Sequence, residues 1–347
     1  MNSPKVSICI PTYNGRTHLR ECLDSIRAQS FNDFEVLLCD DQSSDGTLDL
    51  AREIAGADER FRFISNPRRF GLVGNWNNCI ALARGEWIKF VFQDDIIEPA
   101  CLEKLLHACE QTQNKFGFCA RDFIFETGVT ESLHNWFVSH RERLQSDYQP
   151  RRVISPENVI RRAIREPAHN PVGEPTVTLI HRSLFSELGK FDESLIQLCD
   201  SEFWNRVLVN HGGVFVAESL AKFRIHAKAA TALNHGARAY RMGVLDPLVL
   251  RCRFAFGRHF KPMRNPWLTD KSIFALRVEC AADAAHAWRL AQNNFETAAG
   301  APYNAYTEWQ AVTANFHELK TLAFLGRIIN LFRRIKSAVA RQVRRLT

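Results

Sequence analysis

Trp87–Pro99, W-I-K-F-V-F-Q-D-D-I-I-E-P, is the stretch whose reading decides the fold. Ile88, Phe90, Val91 and Phe92 make an apolar run of strand length, Asp94 and Asp95 stand where it ends, and Pro99 closes the turn. In an α/β chain ligands gather at the carboxyl ends of strands. Paired carboxylates there offer oxygen ligands to a hard divalent cation, which in turn holds a diphosphate. The competing reading is a pair of solvated turn aspartates, since Asp is common in turns.

Three strand and helix pairs precede this stretch. Val6–Ile10 is an apolar strand candidate that runs into the turn formers P-T-Y-N-G of Pro11–Gly15. Leu19, Cys22, Leu23 and Ile26 then recur at helical spacing behind Thr17, a suitable N-cap. F-E-V-L-L-C, residues 34–39, is a second strand stopped by D-D-Q-S-S-D-G-T, and residues 48–55 form a second helix. Residues 61–65 and 76–83 repeat the pattern and lead through R-G-E into Trp87. Strand alternating with helix in this way predicts an α/β fold with a doubly wound, mainly parallel sheet.

Polar residues collect where the predicted strands end: Thr12, Tyr13 and Asn14 after the first, Asp40, Asp41 and Ser43 after the second, Asp94 and Asp95 after the fourth. Three such clusters at one edge of one sheet point to a single site for a phosphate-bearing ligand. Neither G-x-G-x-x-G nor G-x-x-x-x-G-K follows any strand, which counts against a dinucleotide dehydrogenase or a P-loop enzyme.

V-S-I-C-I-P-T-Y-N-G, F-E-V-L-L-C-D-D-Q-S-S-D-G-T and A-R-G-E-W-I-K-F-V-F-Q-D-D-I-I-E-P together resemble, in order and spacing, the successive signatures of the inverting nucleotide-sugar glycosyltransferases of family 2. The resemblance covers about the first 225 residues of 347. It implies the GT-A fold, a Rossmann-like sheet, and a nucleotide-sugar donor held with a divalent metal, Mn²⁺ or Mg²⁺. On this resemblance Pro11, Thr12, Tyr13 and Asn14 line the nucleoside pocket, with Tyr13 offering a ring face to the base and Asp41 accepting from a base N–H. UDP or dTDP is the favoured donor nucleotide. Asn75 and Asn77, in F-G-L-V-G-N-W-N-N, stand at a helix start beside the diphosphate and sugar, with N-capping as the alternative for Asn75. Asp95 is the direct metal ligand and Asp94 the ribose or sugar contact. Where many relatives carry an aspartate two places before Asp94, this chain has Phe92.

Downstream, residues 100–116 read as a helix and residues 117–150 as irregular, with R-D-F-I-F-E-T-G-V-T-E-S-L suited to a hairpin. Arg151, Arg152, Arg161, Arg162 and Arg165 read as a solvated helix face or as a basic rim for an anionic acceptor. Residues 170–185 resume the family pattern, with a loop carrying Gly173 and Glu174 on the acceptor side, then a strand, then a helix from about Ser183. In G-K-F-D-E-S-L-I-Q-L-C-D-S-E-F-W-N-R-V, Asp200 falls on the family's general base, Cys199 replaces the usual acidic neighbour, and Glu202 is the second-rank carboxylate. Displacement at an anomeric carbon needs a carboxylate to take the acceptor's proton. Asp200 also suits a cap for the helix that holds Phe203, Trp204 and Val207. F-R-I-H-A-K resembles the family's R-x-H segment, which places His226 on the diphosphate or metal and Lys228 against leaving-group charge; a structural His226 is the alternative.

A hydrophobic fraction of 46% with 24% charged residues is ordinary for a globular chain with a sizeable core. The net charge of +7 is concentrated in the C-terminal tail. Ten cysteines without C-x-x-C pairs or zinc-like spacing read as small buried hydrophobes in a reducing compartment. M-N-S-P-K-V enters a strand without a signal peptide, and no apolar run reaches the roughly 18–20 residues that span a bilayer. The expectation is a cytoplasmic protein, soluble or peripheral on the inner face of the plasma membrane, without a nucleic-acid partner.

Residues 1–228 are therefore expected to form the transferase domain, 1–116 its nucleotide-binding half and 117–228 its acceptor and catalytic half, with 229–347 a helical extension. The final run places Leu322, Leu325, Ile328, Ile329, Phe332, Ile335 and Val339 on one face beside many arginines. Such a helix lies on an anionic membrane or packs on the catalytic domain. The expected acceptor is a glycan or lipid-linked glycan of bacterial surface-polysaccharide synthesis. A nucleotidyltransferase and a non-catalytic nucleotide-binding homologue are the rival readings.

Overall fold

A computed structural model describes residues 3–148, 153–166, 169–227, 229, 237–264, 266–293 and 304–346. Strands β1 (Val6–Thr12), β2 (Phe34–Asp40), β3 (Phe61–Ser65) and β4 (Trp87–Phe90) run parallel in the spatial order β3-β2-β1-β4. Helices α1 (Leu19–Arg27), α2 (Thr47–Ala55) and α3 (Gly71–Leu82) connect them. A parallel strand covered on both faces needs an unbroken apolar run, and β2 is buried at every position.

The strand order reverses between β1 and β4, and the two pair only as far as Cys9 opposite Phe90. Beyond that point their chains part. This is the crevice in which open α/β sheets take up ligands, and the loops after β1 and β4 border it.

The second half of the sheet is mixed. After β5 (Ile96–Ile97) and α4 (Cys101–Thr112) come β6 (Phe116–Phe125), α5 (Glu131–Tyr148), β7 (Val153–Ile154), α6 (Pro156–Arg165), β8 (Thr178–His181), α7 (Ser183–Leu188), α8 (Cys199–His211) and β9 (Gly213–Ile225). β8 runs antiparallel between β4 and β6, β9 lies parallel to β6, and β5 and β7 pair antiparallel with β9.

Two expectations are corrected here. Residues 117–150 are not irregular with a hairpin: Phe116–Phe125 is one long strand whose partners, β8 and β9, lie far off in sequence, and residues 131–148 are helical. The presumed second hairpin strand is instead a turn and helix start, where Thr130 Oγ1 accepts from the Leu133 amide at 3.3 Å. Helix α3 begins at Gly71, so Asn75 is neither at its start nor its cap.

The chain divides into two compact units, one of residues 1–159, 170–193 and 199–229, the other of residues 160–169, 194–198 and 230–347. The first contains the sheet. The second is built on α9 (Asp246–Phe256), α10 (Pro266–Asn293), α11 (Ala305–Asn315) and α12 (Glu318–Leu346). Its centre is ionic: buried Asp246 accepts from Arg241 Nε at 2.9 Å and from the Ile196 and Gln197 amides at 2.9 and 2.7 Å. Arg238 closes on Glu308 at 2.6 Å. Helices α10 and α12 touch backbone to backbone at Gly326, where a Cβ would lie 1.8 Å from the Ala281 carbonyl oxygen.

All ten cysteines are buried thiols, as small hydrophobes would be. No helix among the described residues is long and apolar enough to cross a membrane.

Candidate active site

At the ends of β1 and β2 the polar residues are tied to one another. Thr12 Oγ1 donates to Asp40 Oδ1 at 2.9 Å, and the Asp41 amide donates to the Thr12 carbonyl at 2.8 Å. Asn14 holds the left-handed conformation (φ 47°); its amide donates to Ser43 Oγ at 2.8 Å and its Oδ1 accepts from the Ser44 amide at 2.9 Å. Pro11 pairs in register with Cys39, beyond the last residue that β1 shares with β4.

Tyr13 is exposed, with the Arg69 guanidinium 3.7 Å above its ring centre. Gln93 staples this loop to the β4 loop, since its Oε1 accepts from the Tyr13 amide at 2.9 Å and its Nε2 donates to the Tyr13 carbonyl at 3.2 Å.

Asp41 is buried and caps α3 from a distance. Its carboxylate accepts from Asn66 Nδ2 at 2.9 Å and from the Phe70 and Gly71 amides at 2.7 and 2.9 Å. Donors freed at a helix N-terminus favour a carboxylate. Asn75, one turn into α3, is buried between the Cys39 carbonyl, to which its Nδ2 donates at 2.9 Å, and Asn66, which donates to its Oδ1 at 2.9 Å. Asn77 donates to the Phe191 carbonyl at 3.0 Å.

Asp94 and Asp95 divide into an outer and an inner carboxylate. Asp95 is wholly buried: Oδ1 accepts from the Arg224 amide at 3.0 Å and Oδ2 from the Thr176 hydroxyl. Burial, then the Asp94 charge, pushes its carboxyl well above the usual range. Asp94 Oδ2 meets His226 Nε2 at 3.0 Å. Arg224 clamps the turn through a 2.9 Å bond from Nε to the Asp94 carbonyl and reaches Glu21 at 2.7 Å. Phe92 stacks on Trp76 with ring centres 5.0 Å apart, so at this position the chain has aromatic packing in place of a carboxylate.

His226 also belongs to a trio with His18 and Glu126, whose ligand atoms lie within 4.8 Å of one another. Burial and the Arg224 charge lower the His18 imidazole, whose Nε2 lies 3.1 Å from Glu126 Oε1. Carboxylate oxygens with imidazole nitrogens make a donor set that fits a divalent ion such as Mn²⁺.

The loop of residues 170–174 carries the other end of the site. Asn170 Oδ1 accepts from the Val172 and Gly173 amides at 3.1 and 2.9 Å, and its Nδ2 donates to Asp200 Oδ2 at 3.1 Å. Trp204 Nε1 of α8 holds the Gly173 carbonyl at 2.8 Å, and buried Arg121 of β6 holds Glu174 at 2.6 Å. Gly173 is at φ +111°, and a Cβ there would strike Arg121, so the loop requires glycine.

Asp200 lies in the first turn of α8 and accepts from the Ser201 amide at 2.6 Å. Burial, with Glu174 adding like charge, raises its carboxyl to about 7. A carboxylate poised there takes a proton at neutral pH. Glu202, by contrast, is buried in a 2.6 Å ion pair with Arg206, which itself braces the Leu188 and Lys190 carbonyls. Lys228 lies outside the described residues, as do Arg151 and Arg152.

Asp94 thus joins His226, Thr12 joins the Asp40 turn, and Asp200 joins the Glu174 loop. Gln93, Asn170, Thr176 and Arg224 escaped the sequence reading. Asn170 had a signal, the N-P-V-G turn it opens. Arg224 stands two places before His226; Thr176 had none.

The family model described as Glycosyl transferase family 2 matches residues 7–189. The chondroitin synthase of Escherichia coli is 34% identical over 151 residues, 41% of this chain and 21% of that one, so the chain spans about a fifth of that relative's length. The structure of S. aureus TarS 1-349 in complex with UDP-GlcNAc aligns with TM-score 0.55 at 17% identity, covering 80% of this chain and 81% of that one. The mannosyltransferase PcManGT from Pyrobaculum calidifontis, in complex with GDP-Man and Mn²⁺, aligns with TM-score 0.54 at 16% identity over 96% of this chain and 88% of that one.

Proposed function

The chain belongs to glycosyl transferase family 2 and has the GT-A fold, and from that membership we propose an inverting transfer of a sugar from a nucleoside diphosphate to a glycan hydroxyl. It is a transferase with a relative in polysaccharide synthesis. The single observation that carries the mechanism is the 3.1 Å hydrogen bond by which Asn170 aims the Asp200 carboxylate beside the Glu174 loop, where burial raises that carboxyl to about 7.

In this reading the donor lies along the crevice between β1 and β4. The nucleoside rests on Pro11, Thr12, Tyr13 and Asn14, with the Asp41 cap and Asn75 beneath it. The base stacks on Tyr13 in the place that Arg69 takes, or on the ring's other face. UDP or dTDP is the donor nucleotide proposed, with Tyr13 as the stacking partner, while the Asp41 carboxylate is engaged by Asn66, Phe70 and Gly71 and shapes the pocket from beneath.

At the diphosphate end Asp94, His226 and the neighbouring pair His18 and Glu126 offer the reachable metal donors. Asp95, the ligand expected from the sequence, fixes the turn from below through both oxygens. A bound Mn²⁺ or Mg²⁺ supplies charge that stabilises the departing diphosphate.

The acceptor approaches along Gly173 and Glu174. Asp200 takes the proton of its hydroxyl as the new bond forms at the anomeric carbon and the bond to the diphosphate breaks. One base and no protein nucleophile make one displacement, which inverts the anomeric centre.

Incubation with UDP-, dTDP- and GDP-sugars, with glycan acceptors and Mn²⁺, tests this directly. The expected outcome is release of one nucleoside diphosphate and a product of opposite anomeric configuration, read from proton couplings. A retained configuration overturns the single displacement, and nucleotide binding without release supports the non-catalytic reading.

A further inference from the structure

Helix α12 is apolar on two opposite sides. One side is used within its own unit: Leu319, Ala323 and Gly326 are buried, Gly326 against Ala281, with Leu322, Ile329 and Asn330 partly covered beside them. On the opposite side Phe324, Leu325, Ile328, Leu331, Phe332 and Ile335 recur at offsets of 1, 4, 7, 8 and 11 from the first, a continuous stripe at helical period. They are open to solvent: Phe324 is 62% exposed, Leu331 57% and Phe332 66%. Leu322 and Ile329, which the sequence reading placed in the same stripe, belong to the packed side. The core of the unit is therefore satisfied without the exposed stripe, and a continuous bare stripe of large side chains marks an interaction surface.

Charge identifies the occupant. After Glu318 the helix contains eight Lys and Arg residues and no acid. Lys320 and Arg327, seven residues apart and both exposed, flank the stripe along one edge. Two copies facing each other through this stripe would bring like charges together. A lipid surface that offers hydrocarbon under an anionic headgroup layer satisfies stripe and edge at once. The helix's lack of a spanning apolar window restricts it to lying in the interface.

We propose that the Phe324–Ile335 stripe of α12 docks the protein on an anionic lipid bilayer. The apolar side chains enter the headgroup boundary while the flanking cations meet lipid phosphates. This concerns α12 alone and does not depend on the sugar-transfer reading.

The test is co-sedimentation of the full chain with vesicles of phosphatidylcholine alone or mixed with phosphatidylglycerol. Wild type is expected to sediment with the mixed vesicles, to stay in solution with phosphatidylcholine, and to be released by high salt. Phe324→Ser/Phe332→Ser should weaken sedimentation by roughly tenfold or more, and Lys320→Gln by about fivefold. Unchanged circular dichroism and Tm would show that these exposed substitutions leave the fold intact. Wild type remaining in solution with the mixed vesicles, or the double variant sedimenting as well as wild type, overturns the proposal. So does a wild-type dimer in solution that the double variant dissociates without lipid binding, which assigns the stripe to a second copy.

Discussion

The Asn170 side-chain amide donates a 3.1 Å hydrogen bond to Asp200 Oδ2, while its carbonyl oxygen accepts from the Val172 and Gly173 amides. One side chain thus sets both the shape of the loop beside Glu174 and the direction of the proposed base. Because that bond is made to the ionised form, it opposes the rise that burial and Glu174 impose on Asp200.

Opposite signs follow for two substitutions. Wild-type kcat/KM should fall about tenfold per pH unit below the raised value of about 7. Glu174→Gln removes the neighbouring like charge and should move this acid limb to lower pH. Asn170→Ala removes a donor and should move it to higher pH. Profiles of both variants that superimpose on wild type would remove Asp200 from the rate equation.

Asp200 also links stability to pH. Its folded value of about 7 lies above the unfolded value of about 3.9, so the protonated form favours the fold. Stability from this group is full below about pH 4 and is lost as pH rises towards 7. Asp200→Asn should therefore raise Tm at pH 8 by about 2–4 °C for each kcal/mol recovered, and by less at pH 5. Thermal melts of the two proteins at both pH values check this.

The Asp94 and His226 contact at 3.0 Å predicts a specific metal phenotype. Chelation with EDTA should stop transfer and Mn²⁺ should restore it. His226→Ala should raise the Mn²⁺ concentration needed for half-maximal rate by roughly 10–100-fold. A titration curve that coincides with wild type would remove His226 from the metal site, both as a ligand and as a brace for Asp94.

Thr176 is predicted to matter for stability. Thr176→Val deletes the hydroxyl that donates to buried Asp95 and leaves that oxygen without a partner. Such a loss costs about 1–3 kcal/mol. Chemical denaturation should show that loss, and an unchanged midpoint would mean that another donor replaces the hydroxyl.

What could be read from the sequence divides along physical lines. β1, β2 and β4 were legible because parallel strands covered on both faces must be continuous apolar runs, and their polar ends then mark the ligand edge. The start of α3 was not, because its capping carboxylate, Asp41, stands 30 residues before Gly71 and no local pattern records it. β6 was misread because its partners β8 and β9 follow it at long range. Asp200 stood out through its motif, whereas Thr176 and Arg224 act on the Asp95 carboxylate only once distant strands meet. In α12 a single apolar face was expected from a periodic run whose residues in fact serve two opposite sides.

The most direct test of the central claim is the single-turnover transfer rate of Asp200→Asn with donor, acceptor and Mn²⁺ saturating, alongside donor affinity. Asn keeps the size of the side chain and removes its basicity. The account predicts a rate lower by about 10²–10⁴ with donor affinity unchanged. A rate within a few-fold of wild type would contradict Asp200 as the general base.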